Sequence, residues 1–179
     1  MIGAGAGTPR QPIPAAAGFP RRLVTGSADQ TLALGRRAAR RLRGGEVLLL
    51  YGPLGAGKTC FVQGLCRGLG VGEEVTSPTF TLANRYTGRL VVHHLDFFRV
   101  GPDQSLTDIG VQAVLEEVEG GGAVLVVEWP GPLLPHVPVR LEWLALPGRG
   151  PQERIWHLRG IPALPPFWDD VLWTEDGPC

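Results

Sequence analysis

Apolar residues in this chain fall either in short unbroken blocks or in stripes at helical spacing, with Gly- and Pro-rich turns between them. Arg21–Thr25 reads as a short strand. Ser27 with Gln30 three residues later forms a capping box, which predicts a helix running to about Arg43. Ala28, Leu32, Gly35, Ala39 and Leu42 recur at helical spacing and are its expected apolar stripe; Gly44-Gly45 stops it. Glu46–Tyr51 (EVLLLY) is a nearly continuous apolar run of the kind that forms a buried parallel strand. A glycine-rich loop, 52–57, precedes a helix from Lys58 to about Leu69, with Phe61, Val62, Leu65 and Leu69 facing inward. The segment 75–81 is polar and broken by Pro78, hence a loop. Thr81–Tyr86 and Arg89–Asp96 predict a hairpin about Thr87-Gly88. Leu106–Glu119 predicts a helix, and Ala123–Val127 (AVLVV) a second buried strand ending at Glu128-Trp129-Pro130. Val137–Leu146 and Glu153–Arg159 predict a final strand pair.

The order strand, Gly-loop, helix, hairpin, helix, strand implies an α/β fold: a mixed sheet with a largely parallel centre and flanking helices in three layers. Ligands of such sheets bind at the carboxyl ends of strands, where the loop after Tyr51, Asp96 and Glu128 are all expected. Residues 1–20 are Gly/Ala/Pro-rich and read as a disordered arm, residues 21–160 as the folded domain, and residues 161–179 as a tail with no clear element.

Composition narrows the function classes. At 179 residues the chain fits one domain, able to hide about two thirds of its unfolded surface. Lys+Arg and Asp+Glu are both 17, so no global field draws the protein to nucleic acid, DNA included, or to a membrane, which leaves room for local basic patches. No apolar run approaches the roughly 18 residues of a membrane span, and no signal peptide is evident. Cys60 and Cys66 are separated by about 9 Å of helical rise, too far for a disulfide, and no metal-ligand spacing appears. A reducing cytoplasm is the expected compartment. Sixteen of the seventeen positive residues are Arg; Lys58 is the only lysine.

That lysine closes the best motif in the chain. Gly52-Pro53-Leu54-Gly55-Ala56-Gly57-Lys58-Thr59 matches G-x-x-x-x-G-K-S/T without a mismatch, between a predicted strand and a predicted helix. Glycines let the backbone curl so that its amides face phosphate oxygens, and the helix N-terminus adds a favourable dipole. Lys58 is expected on the β and γ phosphates and the Thr59 hydroxyl on magnesium. Glu128, at a strand end, is expected as the acidic magnesium or water contact, and Asp96 as a holder of metal-bound or attacking water. His93 and His94, adjacent on a strand, point to opposite faces and are read as structural. Arg36, Arg37, Arg40, Arg41 and Arg43 form a basic face, read as solvated, with contact to RNA phosphates or an acidic partner as the alternative.

The motifs TLALG, LYGPLGAGKTCFVQGL, SPTFTLANRY, HHLDFFR and VEWP, in that order, resemble the TsaE family, small bacterial ATPases required for threonylcarbamoyladenosine synthesis on tRNA. The resemblance runs from about residue 25 to 160. It implies binding and weak, partner-stimulated hydrolysis of ATP-Mg, docking on the TsaD–TsaB heterodimer, and contact with tRNA only through that complex. Carried over, Leu54, Gly55, Ala56, Gly57, Lys58, Thr59 and Cys60 are similar to the phosphate loop, Thr59 and Glu128 to the magnesium positions, and Asp96 to an essential aspartate. Trp129 resembles a residue needed for activity, Thr31 one near the nucleotide, and Ser77, Pro78 and Thr79 a switch-type loop. Pro53 stands where the family usually has Asp.

Two other classes compete. A stand-alone P-loop small-molecule kinase needs an acceptor pocket and an Arg-bearing lid, and no Arg-rich lid segment follows the second buried strand. A GTPase needs an N-K-x-D segment, which a chain with one lysine already in its loop cannot supply. A scaffold that binds without hydrolysing would look the same in sequence. No arginine finger is evident beside the loop, so a partner is expected to complete the site.

Overall fold

The computed structural model describes residues 11–101, Leu106 and 110–168. Its strands are β1 (Arg21–Thr25), β2 (Val47–Tyr51), β3 (Ala83–Thr87), β4 (Val91–Asp96), β5 (Ala123–Glu128), β6 (Arg140–Pro147) and β7 (Arg154–Ile161). Its helices are α1 (Ala28–Ala39), α2 (Lys58–Gly68) and α3 (Val111–Glu119). The strands form one sheet in the order β1-β7-β6-β2-β5-β4-β3. β6, β2, β5 and β4 run parallel, while β1, β7 and β3 pair antiparallel at the edges. This is the P-loop NTPase-like three-layer arrangement expected from the element order. The fully buried runs VLLLY and AVLVVE are its central strands, as continuous apolar blocks require.

Two cores flank the sheet. One contains Leu34, Ala38, Phe61, Leu65, Val126, Trp143 and Trp156 from α1, α2 and the inward sheet positions. The other contains Leu49, Val111, Val118, Leu125 and Val127 around α3. Phe61 stacks between Trp143 and Trp156, with ring centroids 4.8 and 5.2 Å away. The α1–α2 contact is backbone-close: a Cβ on Gly35 would meet Phe61 O at 2.2 Å, and one on Gly64 would meet Leu32 O at 2.2 Å. Glycine at both positions lets the helix after the loop sit against α1.

Ser27 caps α1 as expected, accepting from Gln30 N at 3.2 Å, but the Gln30 side chain reaches one residue further back than a capping box, its Oε1 accepting from Gly26 N at 2.6 Å. Two expectations for α1 are corrected. It ends at Ala39, four residues before Arg43, because Arg41 and Leu42 turn into i→i−3 bonds and the Arg89 guanidinium takes the Ala39 and Leu42 carbonyls. Its buried stripe is Thr31, Leu34, Gly35, Ala38 and Ala39; Ala28 is exposed and Leu32 half-buried. Thr31, absent from the expected apolar stripe, is inside because its hydroxyl bonds Thr25 Oγ1 and Ser27 O.

The start expected for the second-half helix, Leu106, lies in a turn, and α3 begins at Val111 after Gly110; residues 102–105 and 107–109 lie outside the described residues. Residues 11–20 are not a disordered arm. They include a 3-10 turn at Ala16–Gly18, and Phe19 is buried in the α3-side core beneath the Arg159 guanidinium, 4.5 Å from its ring. The boundary at 160 also moves, since β7 continues to Ile161 and Trp168 is fully buried beside Trp143. Residues 1–10 and 169–179 lie outside the description.

Candidate functional site

The expected site residues other than Thr31 meet at the carboxyl ends of β2, β4 and β5. β2 delivers the chain into the loop at Gly52, whose φ of +136° is open to glycine and whose Cβ would strike Ala145 O at 2.2 Å. Gly57, at φ +94°, caps α2 in the left-handed conformation and turns the chain into the helix at Lys58. Lys58 is buried, and its ammonium donates to Gly52 O at 2.9 Å and Pro53 O at 3.0 Å. The Trp129 ring covers it at 4.6 Å. Burial lowers the Lys58 pKa, and the charges of Glu128 and Asp96 act against that shift.

β4 and β5 are parallel neighbours, and their last residues, Asp96 and Glu128, are in register. Asp96, Glu128 and His94 share the face toward α2. The Thr59 hydroxyl donates to Glu128 Oε1 at 2.9 Å, and His94 Nε2 lies 3.1 Å from the same oxygen. An ionised carboxylate cannot donate, so Nε2 carries the proton. Burial alone would raise the Glu128 pKa. The hydrogen bond and charge of His94, the charge of Lys58 and the Thr59 hydroxyl instead hold it below the ordinary value. Thus His94, read as structural, orients a carboxylate of the site. Its partner is 34 residues away, and only the parity of β4 in the sequence hinted at the shared face. His93 points to the opposite face, as expected, and meets Glu117 of α3 at 2.8 Å.

Asp96 is held on both oxygens. Oδ2 accepts from Thr79 Oγ1 at 2.5 Å and from Ser77 Oγ at 3.4 Å; Oδ1 accepts from Phe98 N at 2.8 Å. It therefore ties the 75–81 loop to the end of β4. Phe80, next in that loop, is 82% exposed under the Arg99 guanidinium, and Leu54 at the loop tip is 69% exposed. Trp129 follows Glu128 with φ +56°, a left-handed backbone that costs a bulky residue on the order of 1–3 kcal/mol. Its ring packs on Phe98 at 5.1 Å and on Lys58.

These side chains line a cleft of about 230 Å³ bounded by Leu54–Cys60, Ser77, Thr79, Asp96, Glu128 and Trp129. A second cavity of about 300 Å³ adjoins it, sharing Gly57 and Cys60 and walled by Ala28, Thr31, Gln152 and Arg154. Thr31 lines this second cavity and not the first. Arg154, from the start of β7, donates from Nε to Gly55 O at 3.2 Å. It escaped the sequence reading because it sits 99 residues beyond the loop. Among the described residues, no cluster of three or more His, Cys, Asp or Glu side chains could hold a metal ion alone. A hydroxyl beside one carboxylate suits a hard cation that keeps waters and takes its other ligands from phosphate, as magnesium does.

The sheet and the glycine loop before α2 define the P-loop-like class of α/β proteins. Within it, the protein-family model for "Threonylcarbamoyl adenosine biosynthesis protein TsaE" matches residues 25–149. The chain is 47% identical over 108 residues to tRNA threonylcarbamoyladenosine biosynthesis protein TsaE of Treponema pallidum (60% of this chain, 77% of that protein). It is 35% identical over 127 residues to the TsaE of Bacillus subtilis (70% and 77%). The crystal structure of Bacillus subtilis YdiB superposes with a TM-score of 0.64 at 27% identity, covering 84% of this chain and 90% of that one. The chain belongs to the TsaE family, which takes part in tRNA threonylcarbamoyladenosine biosynthesis. No described helix is long and apolar enough to cross a membrane.

Proposed function

We propose that this protein binds ATP with magnesium in the paired cavities and hydrolyses it slowly, in the cytoplasm, in support of threonylcarbamoyladenosine formation on tRNA by the TsaD–TsaB heterodimer. The observation that carries the reading is the Thr59–Glu128 hydrogen bond, which joins the first turn of α2 to the end of β5 beside the buried Lys58. The loop amides and Lys58 take the β and γ phosphates, and the ribose and base extend past Gly57 and Cys60 toward Thr31 and Arg154. Thr59 and Glu128 would hold a magnesium ion, whose charge would offset that of the phosphate oxygens.

Asp96 and the Thr79 hydroxyl it holds orient the attacking water. As the water oxygen bonds to the γ phosphorus, the bond to the β–γ bridging oxygen breaks with its electron pair staying on ADP, the water proton passes to a γ-phosphate oxygen, and ADP and inorganic phosphate leave. Arg154 bonds a loop carbonyl and Arg99 lies over Phe80, so neither is committed to the γ phosphate, and docking at the exposed Leu54–Phe80 rim completes the site. Titration with ATP and GTP, with and without magnesium, tests the binding half. Magnesium-dependent ATP binding that Lys58→Ala abolishes is expected. Equal binding by wild type and Lys58→Ala would refute it.

A further inference from the structure

Ahead of the matched family region, residues 11–20 lie across the α3-side face of the sheet. At one end Phe19 packs edge-on against His157, 6.3 Å between centroids, and under Arg159. At the other, Gln11 reaches the carboxyl ends of β4 and β5. Its Nε2 donates to Phe97 O at 3.0 Å, and its Oε1 accepts from Gly131 N at 2.8 Å. Phe97 directly follows Asp96. Gly131 comes three residues after Glu128, with the strained Trp129 between. One carboxamide therefore clips together the two chain segments that leave the candidate acids.

We infer that Gln11 is a positioning residue for those segments: its two bonds hold the Phe97 and Gly131 backbones so that Trp129 stays over Lys58 and Asp96 stays beside Glu128. The two segments have one backbone bond of their own, Phe97 N to Glu128 O at 3.0 Å, and Trp129 N reaches Leu50 O at 3.3 Å. Neither bond fixes the chain beyond Trp129, where the left-handed turn must be kept. Beyond Pro130 the first external bond is the one Gly131 makes to Gln11. Glycine at 131 is matched to it, since a Cβ there would come within 2.7 Å of Gln11 Oε1. The carboxamide serves both bonds because it is at once donor and acceptor. The catalytic consequence rests on the proposed ATP hydrolysis; the clip itself does not.

The test uses the full chain carrying Gln11→Ala, which removes the clip from the strap, or Gly131→Ala, which displaces it from the opposite side. Amide exchange at Gly131, kcat and KM for magnesium-ATP, and the melting temperature are measured. In both variants Gly131 exchange rises about tenfold and kcat falls about five- to tenfold, while KM holds within about twofold and melting shifts by only a few degrees, as loss of one bonded group predicts. Unchanged Gly131 exchange or unchanged kcat in Gln11→Ala overturns the proposal. So does a kcat loss that tracks lost folded protein, which is what a strap that merely packs would give. If the wild type hydrolyses no ATP, the proposed function fails, and the clip is judged on Gly131 exchange and the Trp129 indole resonance. Both move in the variants if Gln11 positions the segment, and both stay fixed if it does not.

Discussion

The Thr59 hydroxyl donates to Glu128 Oε1 at 2.9 Å across 69 residues of chain, joining the first turn of α2 to the last residue of β5. Both side chains are aimed by backbone that is otherwise fixed, α2 by its packing on α1 and β5 by the sheet. A cation held by both side chains would take the hydroxyl's lone pairs and the carboxylate oxygen in place of this hydrogen bond. Glu128→Gln and Thr59→Val are each expected to weaken magnesium-ATP binding by about tenfold or more, the scale of a charge-assisted contact. Calorimetric affinity for metal-free ATP should change little, which separates a metal role from a folding defect.

The same carboxylate gives an acid signature. Its folded-state pKa lies below the ordinary 4.5. It therefore contributes stability that is fully present above about pH 5 and is lost as pH falls through 4.5 toward the folded value. Melting curves of wild type and Glu128→Gln should differ most near neutrality and converge in acid. A constant difference down to about pH 3 would mean that the His94 and Thr59 contacts do not favour the ionised form.

α2 stands close to α1 where Gly35, Gly64 and Gly68 lack side chains. Gly64→Ala removes a helix-weakening glycine yet places a methyl 2.2 Å from Leu32 O. Overpacking should win and lower stability by about 1–3 kcal/mol, seen as a lower denaturant midpoint. Unchanged or raised stability would show that the helices separate freely.

Cys60 lines both cavities and is half-buried, whereas burial pushes the Cys66 thiol up to about 12. Maleimide labelling mapped by peptide should modify Cys60 slowly and Cys66 not at all in the native protein. Magnesium-ATP should protect Cys60. Equal labelling with and without nucleotide would place the ligand elsewhere.

How far the sequence disclosed this depended on whether partners were neighbours in the chain. Gly52–Thr59 was legible because the motif is contiguous and its strand and helix flank it. Glu128 and Asp96 were legible as strand ends because AVLVV and the HHLD run point to the sheet. His94 and Arg154 were not, since each acts on a residue of a different element. Residues 11–20 look disordered by composition; Phe19 and Gln11 order them through contacts more than 80 residues away. The α1 stripe slipped because Thr31 reads as polar until Thr25 and Ser27 are seen to satisfy it.

The central claim is that Lys58, Thr59, Glu128 and Asp96 form a nucleotide-hydrolysing centre completed by a partner. ATP turnover by wild type and Lys58→Ala, each with and without TsaD–TsaB, tests it most directly. Slow wild-type turnover that rises about tenfold or more with the heterodimer, and is lost in Lys58→Ala, is the predicted result. No stimulation, together with wild-type turnover in Lys58→Ala, would contradict it.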